Sequence, residues 1–78
     1  MPSPAPQPDW VLIRRRAIGD RIRAARIHTN LTQEKLAELA GMDRQTINRI
    51  EQGHQSPILD TLILIAHALG VPLADLVR

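Results

Sequence analysis

Residues 31–53 read LTQEKLAELAGMDRQTINRIEQG, and the punctuation of this stretch decides the fold. Thr32 is a strong N-cap residue, and Glu34 in the turn after it faces the positive end of a helix dipole. Leu36, Ala37, Leu39 and Ala40 are the apolar residues of the short helix that follows. Gly41 then breaks the pattern, as a left-handed residue after a helix does. Asp43 is the next cap and opens a second short helix over 43–52, with Ile47 and Ile50 on one face; Gly53 stops it. Ala37 stands where the two helices cross, so only a small side chain fits. Gly41, four residues on, supplies the positive φ of a tight turn. Met42, Ile47 and Ile50 are the contacts that hold the second helix across the first.

Upstream, residues 1–8 hold prolines at 2, 4, 6 and 8 and nothing to bury, which predicts a disordered, partly polyproline-II tail. Residues 9–78 form the domain, with Asp9 as N-cap of a helix beginning at Trp10. Ile18, Ile22 and Ala25 fall on one stripe of that helix. Gly19 lies inside it at a cost of about 1 kcal/mol, so either the helix bends there or a neighbour packs closely against it. His28-Thr29-Asn30 ends the helix. Downstream, Pro57 punctuates a loop, Leu59–Leu69 is helical and stops at Gly70, and a last turn or two follows from Pro72. Alternation of period two is nowhere sustained, so no sheet is predicted and the chain is all-α.

Composition narrows the function. Seventy-eight residues make one small domain, which buries only about 60% of its unfolded surface. That leaves no room for a deep cleft or a separate ligand-sensing domain. The absence of cysteine excludes a disulfide framework and thiolate metal sites and fits a reducing cytoplasm. Trp10–Ile13 is too short for an export signal, and Leu62–Leu69 is too short to span a bilayer. Charge is unevenly spread: residues 1–30 carry six arginines (14, 15, 16, 21, 23 and 26) against Asp9 and Asp20, whereas residues 31–78 carry four basic and six acidic groups. Clustered arginine suits a polyanion partner, although a charge run is more often a solvated face.

Two short helices joined by a tight glycine turn form a helix-turn-helix, here spanning Thr32 to Gln52. The text around it, IGDRIRAARIHTNLTQEKLAELAGMDRQTINRIEQGHQSPILDTLILIAHALGVPLADLV over residues 18–77, resembles the Cro and phage-repressor (Xre-type) helix-turn-helix family. Leu-Thr-Gln, Leu-Ala…Ala-Gly, Ile…Ile-Glu-x-Gly, Ser-Pro and Thr-Leu…Ala…Leu-Gly-Val match in order. The resemblance implies a five-helix, lambda-repressor-like domain that binds double-stranded DNA, with helix 43–52 in the major groove.

Arg44, Gln45, Asn48, Arg49 and Gln52 share the face of that helix opposite Ile47 and Ile50. Arginine pairs with guanine edges, and glutamine or asparagine with adenine. Arg44, Gln45 and Arg49, with Asn48 next, are the expected base readers; the competing reading is an ordinary solvent face. The resemblance makes Gln33 a phosphate clamp, assisted by backbone N–H groups at its helix start. Thr46, Gln52, His54, Gln55, Ser56 and Arg23 are further phosphate candidates. It makes Arg26 and Glu51 a structural ion pair. Asp43 departs from the family's serine or threonine and would repel a phosphate, and Ile58 and Pro72 replace polar caps. Leu64 takes a usually polar position. Ile58, Leu64, Leu73 and Leu76 therefore suggest apolar surface for a homodimer reading a palindromic operator, against the alternative of fuller core packing. Trp10–Ile13 lies outside the family pattern, and packing on the C-terminal helix and joining a dimer surface stay open for it.

Catalysis has little support. His28, His54 and His67 are scattered without ligand spacing, Ser3 and Ser56 lack an organised base, and Trp10 is the single aromatic, too few for single-strand stacking. No metal, cofactor or small-molecule effector is expected. The reading is a non-enzymatic, cytoplasmic (nucleoid-associated) transcriptional regulator, a repressor or operon controller. The alternative is an antitoxin-like interaction module with autoregulatory DNA binding; the end of the chain at Arg78 favours the former.

Overall fold

The computed structural model describes residues 7–78; residues 1–6, most of the expected proline-rich tail, lie outside the described residues. Five helices follow in order: α1 (Asp9–His28), α2 (Gln33–Ala40), α3 (Arg44–Glu51), α4 (Leu59–Leu69) and α5 (Leu73–Val77). There is no strand among the described residues.

Asp9 does not cap α1. Pro8 holds the cap position with extended backbone (φ −59°, ψ 150°), and its carbonyl accepts from the N–H of Val11 at 3.0 Å. Asp9 is instead the first helical residue, where its carboxylate meets the positive end of the dipole. Proline's fixed φ suits that boundary position without a side-chain bond. At the other end Asn30 takes a left-handed φ of 61°, which lets the Leu31 N–H return to the Arg26 carbonyl at 3.0 Å.

The two caps of the central pair form as side-chain bonds. Thr32 accepts from the Lys35 N–H at 3.0 Å, and Asp43 accepts from the Thr46 N–H at 2.7 Å. Gly41, with φ 75°, ends α2, and the Met42 N–H closes on the Ala37 carbonyl at 2.9 Å. α4 and α5 start without side-chain caps, at Ile58 and Pro72.

The core gathers Ile22 from α1, Leu36, Ala37 and Ala40 from α2, Ile47 and Ile50 from α3, Ile65, Ala66 and Leu69 from α4, and Leu76 from α5. Full burial of such aliphatic side chains contributes about 1.5–3 kcal/mol each. Of the two readings of Gly19, close packing is what the backbone shows. A Cβ there would run into the Ile50 carbonyl oxygen and come within 2.7 Å of that of Glu51. α1 passes through unbroken and lays its backbone directly on the C-terminal end of α3.

Two expectations about apolar positions change. Leu76 is only 1% exposed and belongs to the core, so it offers no interface surface; a five-residue helix turns whichever apolar side chain it has inward. Leu73 packs against the same core. Leu39 points outward, 53% exposed, because Leu36, Ala37 and Ala40 already fill the inward stripe of α2.

Candidate nucleic-acid interface

The two capped helices fix what α3 shows to solvent. With Ile47 and Ile50 buried, Arg44, Gln45 and Arg49 project outward and exposed, and Asn48 and Thr46 are half-buried at the edges of the same face. Gln45 Oε1 accepts from Arg49 Nη2 at 3.4 Å, a loose tie within the face. Asp43 sits at its start. The Thr46 backbone N–H holds its carboxyl below the usual aspartate value, and the Thr46 side chain and the positive charge of Arg49 add to this. An ionised carboxylate therefore stands at the positive end of α3, where it stabilises the helix and keeps a second anion away.

Beneath this face runs a connected polar network that sequence spacing reaches only in part. Arg26 Nε donates to Glu51 Oε2 at 2.7 Å and Arg26 Nη2 to Glu51 Oε1 at 3.1 Å, a bidentate pair with Glu51 2% exposed. The third guanidinium nitrogen donates to the Leu31 carbonyl at 2.8 Å, so the pair spans the α1–α2 link and the end of α3. Gln33 Nε2 then donates to Glu51 Oε1 at 3.2 Å and to Asn48 Oδ1 at 3.1 Å. Asn48 Oδ1 also accepts from Gln52 Nε2 at 3.2 Å.

This network reshapes two roles. The amide nitrogen of Gln33 is engaged inside the protein, so an anion at the start of α2 meets the backbone N–H groups there, which have no partner within the helix. Asn48 has two donors on its oxygen, so only its amide N–H groups stay uncommitted. Both effects pass through Gln33, whose amide joins Glu51 to Asn48; the resemblance implies the ion pair but not this branch.

The arginine cluster of α1 also divides. Arg15 Nε donates to the Gly53 carbonyl at 2.9 Å, Arg14 Nη2 to the Val77 carbonyl at 3.2 Å, and Arg21 to the Arg78 carbonyl oxygen. Three of the six arginines thus satisfy carbonyls at the C-terminal ends of α3 and α5, where a cation is favoured. These partners are 38 to 63 residues away in sequence, and no local pattern reveals them. Arg26 is spent on Glu51. Arg16 and Arg23 are exposed, seven positions apart on one side of α1.

Among the other phosphate candidates, Gln52, His54 and Ser56 are exposed and Gln55 is half-buried in the loop after α3. Ile58 (70%) and Leu64 (49%) are exposed, as are Leu59 and Ile63 beside them on α4 and Trp10, Leu12 and Ile13 on α1. Trp10 and Ile13 thus stand largely in solvent. No described helix is long and apolar enough to cross a membrane.

The sequence profile described as helix-turn-helix matches residues 22–76. The immunity repressor of Bacillus phage phi105 is 40% identical over 60 residues, covering 77% of this chain and 42% of that protein. The cryptic phage CTXphi transcriptional repressor RstR of Vibrio cholerae is 40% identical over 59 residues, 76% of this chain and 53% of that one. The chain thus spans about half, or less, of these two curated relatives. The restriction-modification controller protein C.AhdI from Aeromonas hydrophila superposes with a TM-score of 0.81 at 31% identity, over 83% of this chain and 94% of that one. The chain belongs to the helix-turn-helix family, in its Cro and phage-repressor branch. Its domain is a DNA-binding module of transcription regulation.

Proposed function

We propose that this chain acts on nucleoid DNA in the cytoplasm, without catalysis, as a repressor or operon controller that reads an operator with α3. Arg44, Gln45 and Arg49 contact base edges, and Asn48 holds the reading face in register through Gln33 and Gln52. Backbone N–H groups at the start of α2, with Gln33 beside them, meet a phosphate; Thr46, Gln52, His54, Gln55, Ser56 and Arg23 border the groove. The observation that carries this reading is a helix whose buried side is Ile47 and Ile50 while its opposite side is wholly polar and arginine-rich. A solvated face would need no bonded scaffold behind it.

The apolar α4 face, with Ile58 and Leu64, supports a homodimer and hence a palindromic operator. Phage repressors and a controller protein are the kinds of protein this chain is similar to. The α4 face also suits an antitoxin-like protein partner. Selection from a pool of random duplexes tests the reading. A palindromic consensus is expected for the purified chain, together with a dimer in sedimentation at micromolar concentration. Arg44→Ala and Arg49→Ala each lose about 1–3 kcal/mol of specific binding and relax one position of the consensus. Full selectivity in both variants defeats the base-reader assignment.

A further inference from the structure

The two α1 arginines left without protein partners differ in what stands beside them. Arg16 lies against the turn that ends α3. Gly53 there has φ +75°, and a Cβ on it would sit 3.0 Å from the Arg16 Cα, so the glycine is what lets the loop touch the helix. The Arg15 side chain, through the Gly53 carbonyl at 2.9 Å, pins the same contact. Between them opens a recess of about 230 Å³ bordered by Leu12 and Ile13 on one side and by Arg15, Arg16, Gln52, Gly53 and His54. Its border holds two arginines and a histidine and no carboxylate. Among the described residues the Arg16 and His54 side chains enter no hydrogen bond or ion pair, although Asp20 lies one turn away on α1. This recess continues directly from Gln52, at the end of α3.

We propose that Arg16, with Gln52 and His54, forms a cradle for one DNA phosphodiester group, extending the DNA surface onto the part of α1 that precedes the matched family region at residue 22. The proposal rests on the DNA-binding reading above. Its chemistry is direct. A guanidinium offers several N–H donors in a planar fork suited to phosphate oxygens. The Gln52 amide and the His54 ring supply further donors from the opposite wall. The contact is blind to sequence, because it touches backbone only. It adds a cationic anchor from α1 at the C-terminal end of α3, the same half of that helix that Gln33 at the start of α2 reaches through Asn48 and Glu51.

The test is fluorescence anisotropy on two duplexes, one recovered from the random selection and one of unrelated mixed sequence, each titrated across a range of salt. Arg16→Ala is expected to weaken binding to both duplexes severalfold and to shrink the slope of log affinity against log salt by about 0.9, one phosphate contact. Arg16→Lys restores the slope. Arg14→Ala, whose guanidinium lies on the α5 end, leaves it unchanged. Circular dichroism of each variant across the same salt range fixes its folded fraction, and affinities corrected for that fraction keep loss of stability from imitating the result. An unaltered slope in Arg16→Ala, with the wild-type chain binding normally, overturns the cradle and spares the DNA reading. An equal fall in slope for Arg14→Ala overturns it too, by reducing it to overall charge. No binding of either duplex by the wild-type chain defeats the DNA reading itself.

Discussion

The α2–α3 pair and the α4–α5 pair solve the same problem in opposite ways. Each helix of the first pair begins on a side-chain cap, at Thr32 and Asp43. Its outer surface is polar apart from Leu39, and a five-residue hydrogen-bonded network stands behind it. Each helix of the second pair begins uncapped, at Ile58 and Pro72, and α4 leaves isoleucine and leucine in solvent. Directional bonds specify the first pair, whereas apolar burial specifies the second. The difference teaches where precision is needed. A surface that must present particular atoms at particular angles needs its backbone and side chains fixed one by one. A surface that buries area against another apolar face needs only the right shape and hydrophobicity.

The sharpest way to break that contrast is at Glu51. Glu51→Ala leaves the Arg26 guanidinium and the Gln33 amide without their shared acceptor, and about 3–5 kcal/mol of stability should disappear in thermal or urea unfolding. A loss under 1 kcal/mol would mean that the first pair, too, rests on apolar packing alone.

A smaller effect separates the caps. Thr32→Ala removes the bond to Lys35 and is expected to cost about 1 kcal/mol. Ile58→Ser supplies α4 with the cap it lacks and is expected to raise stability by up to about 1 kcal/mol. Both are read from unfolding curves at a concentration low enough to keep the chain monomeric. Equal, negligible changes would erase the distinction between the pairs.

The smallest effect is a dependence on acidity. The folded chain holds Asp43 below its ordinary value, mainly through the Thr46 N–H. A carboxyl lowered on folding stabilises the native state above its unfolded value and loses that contribution as pH falls toward the folded one. The midpoint difference between wild type and Asp43→Asn should therefore be constant above about pH 5 and shrink below about pH 4. Comparing the two proteins cancels the titration of the other carboxylates. A difference that stays flat to pH 3 would show that Asp43 caps α3 no better charged than neutral.

The same contrast explains what the sequence revealed. Caps and glycine stops are local signals, so Thr32, Gly41, Asp43, Gly53 and Gly70 mark their boundaries within a few residues of text. Asp9 misleads because Pro8 beside it satisfies the boundary by its fixed φ and needs no side-chain bond. Leu76 misleads for want of length, since five residues give too little periodicity to say which leucine turns inward. The outward face of α3 is legible because Ile47 and Ile50 point the other way. The arginine cluster is not. Whether Arg15 binds a carbonyl or a phosphate depends on Gly53, 38 positions away, and that proximity exists only after folding. The links from Gln33 to Glu51 and Asn48 are invisible for the same reason.

Gly19 carries a last consequence. Because α1 rests on the carbonyls at the end of α3 through bare backbone, the pose of the reading helix owes little to the letters written on its outer side. Under the proposed base-reading role, positions 44, 45 and 49 can be exchanged for a new address while the backbone that carries them stays unchanged.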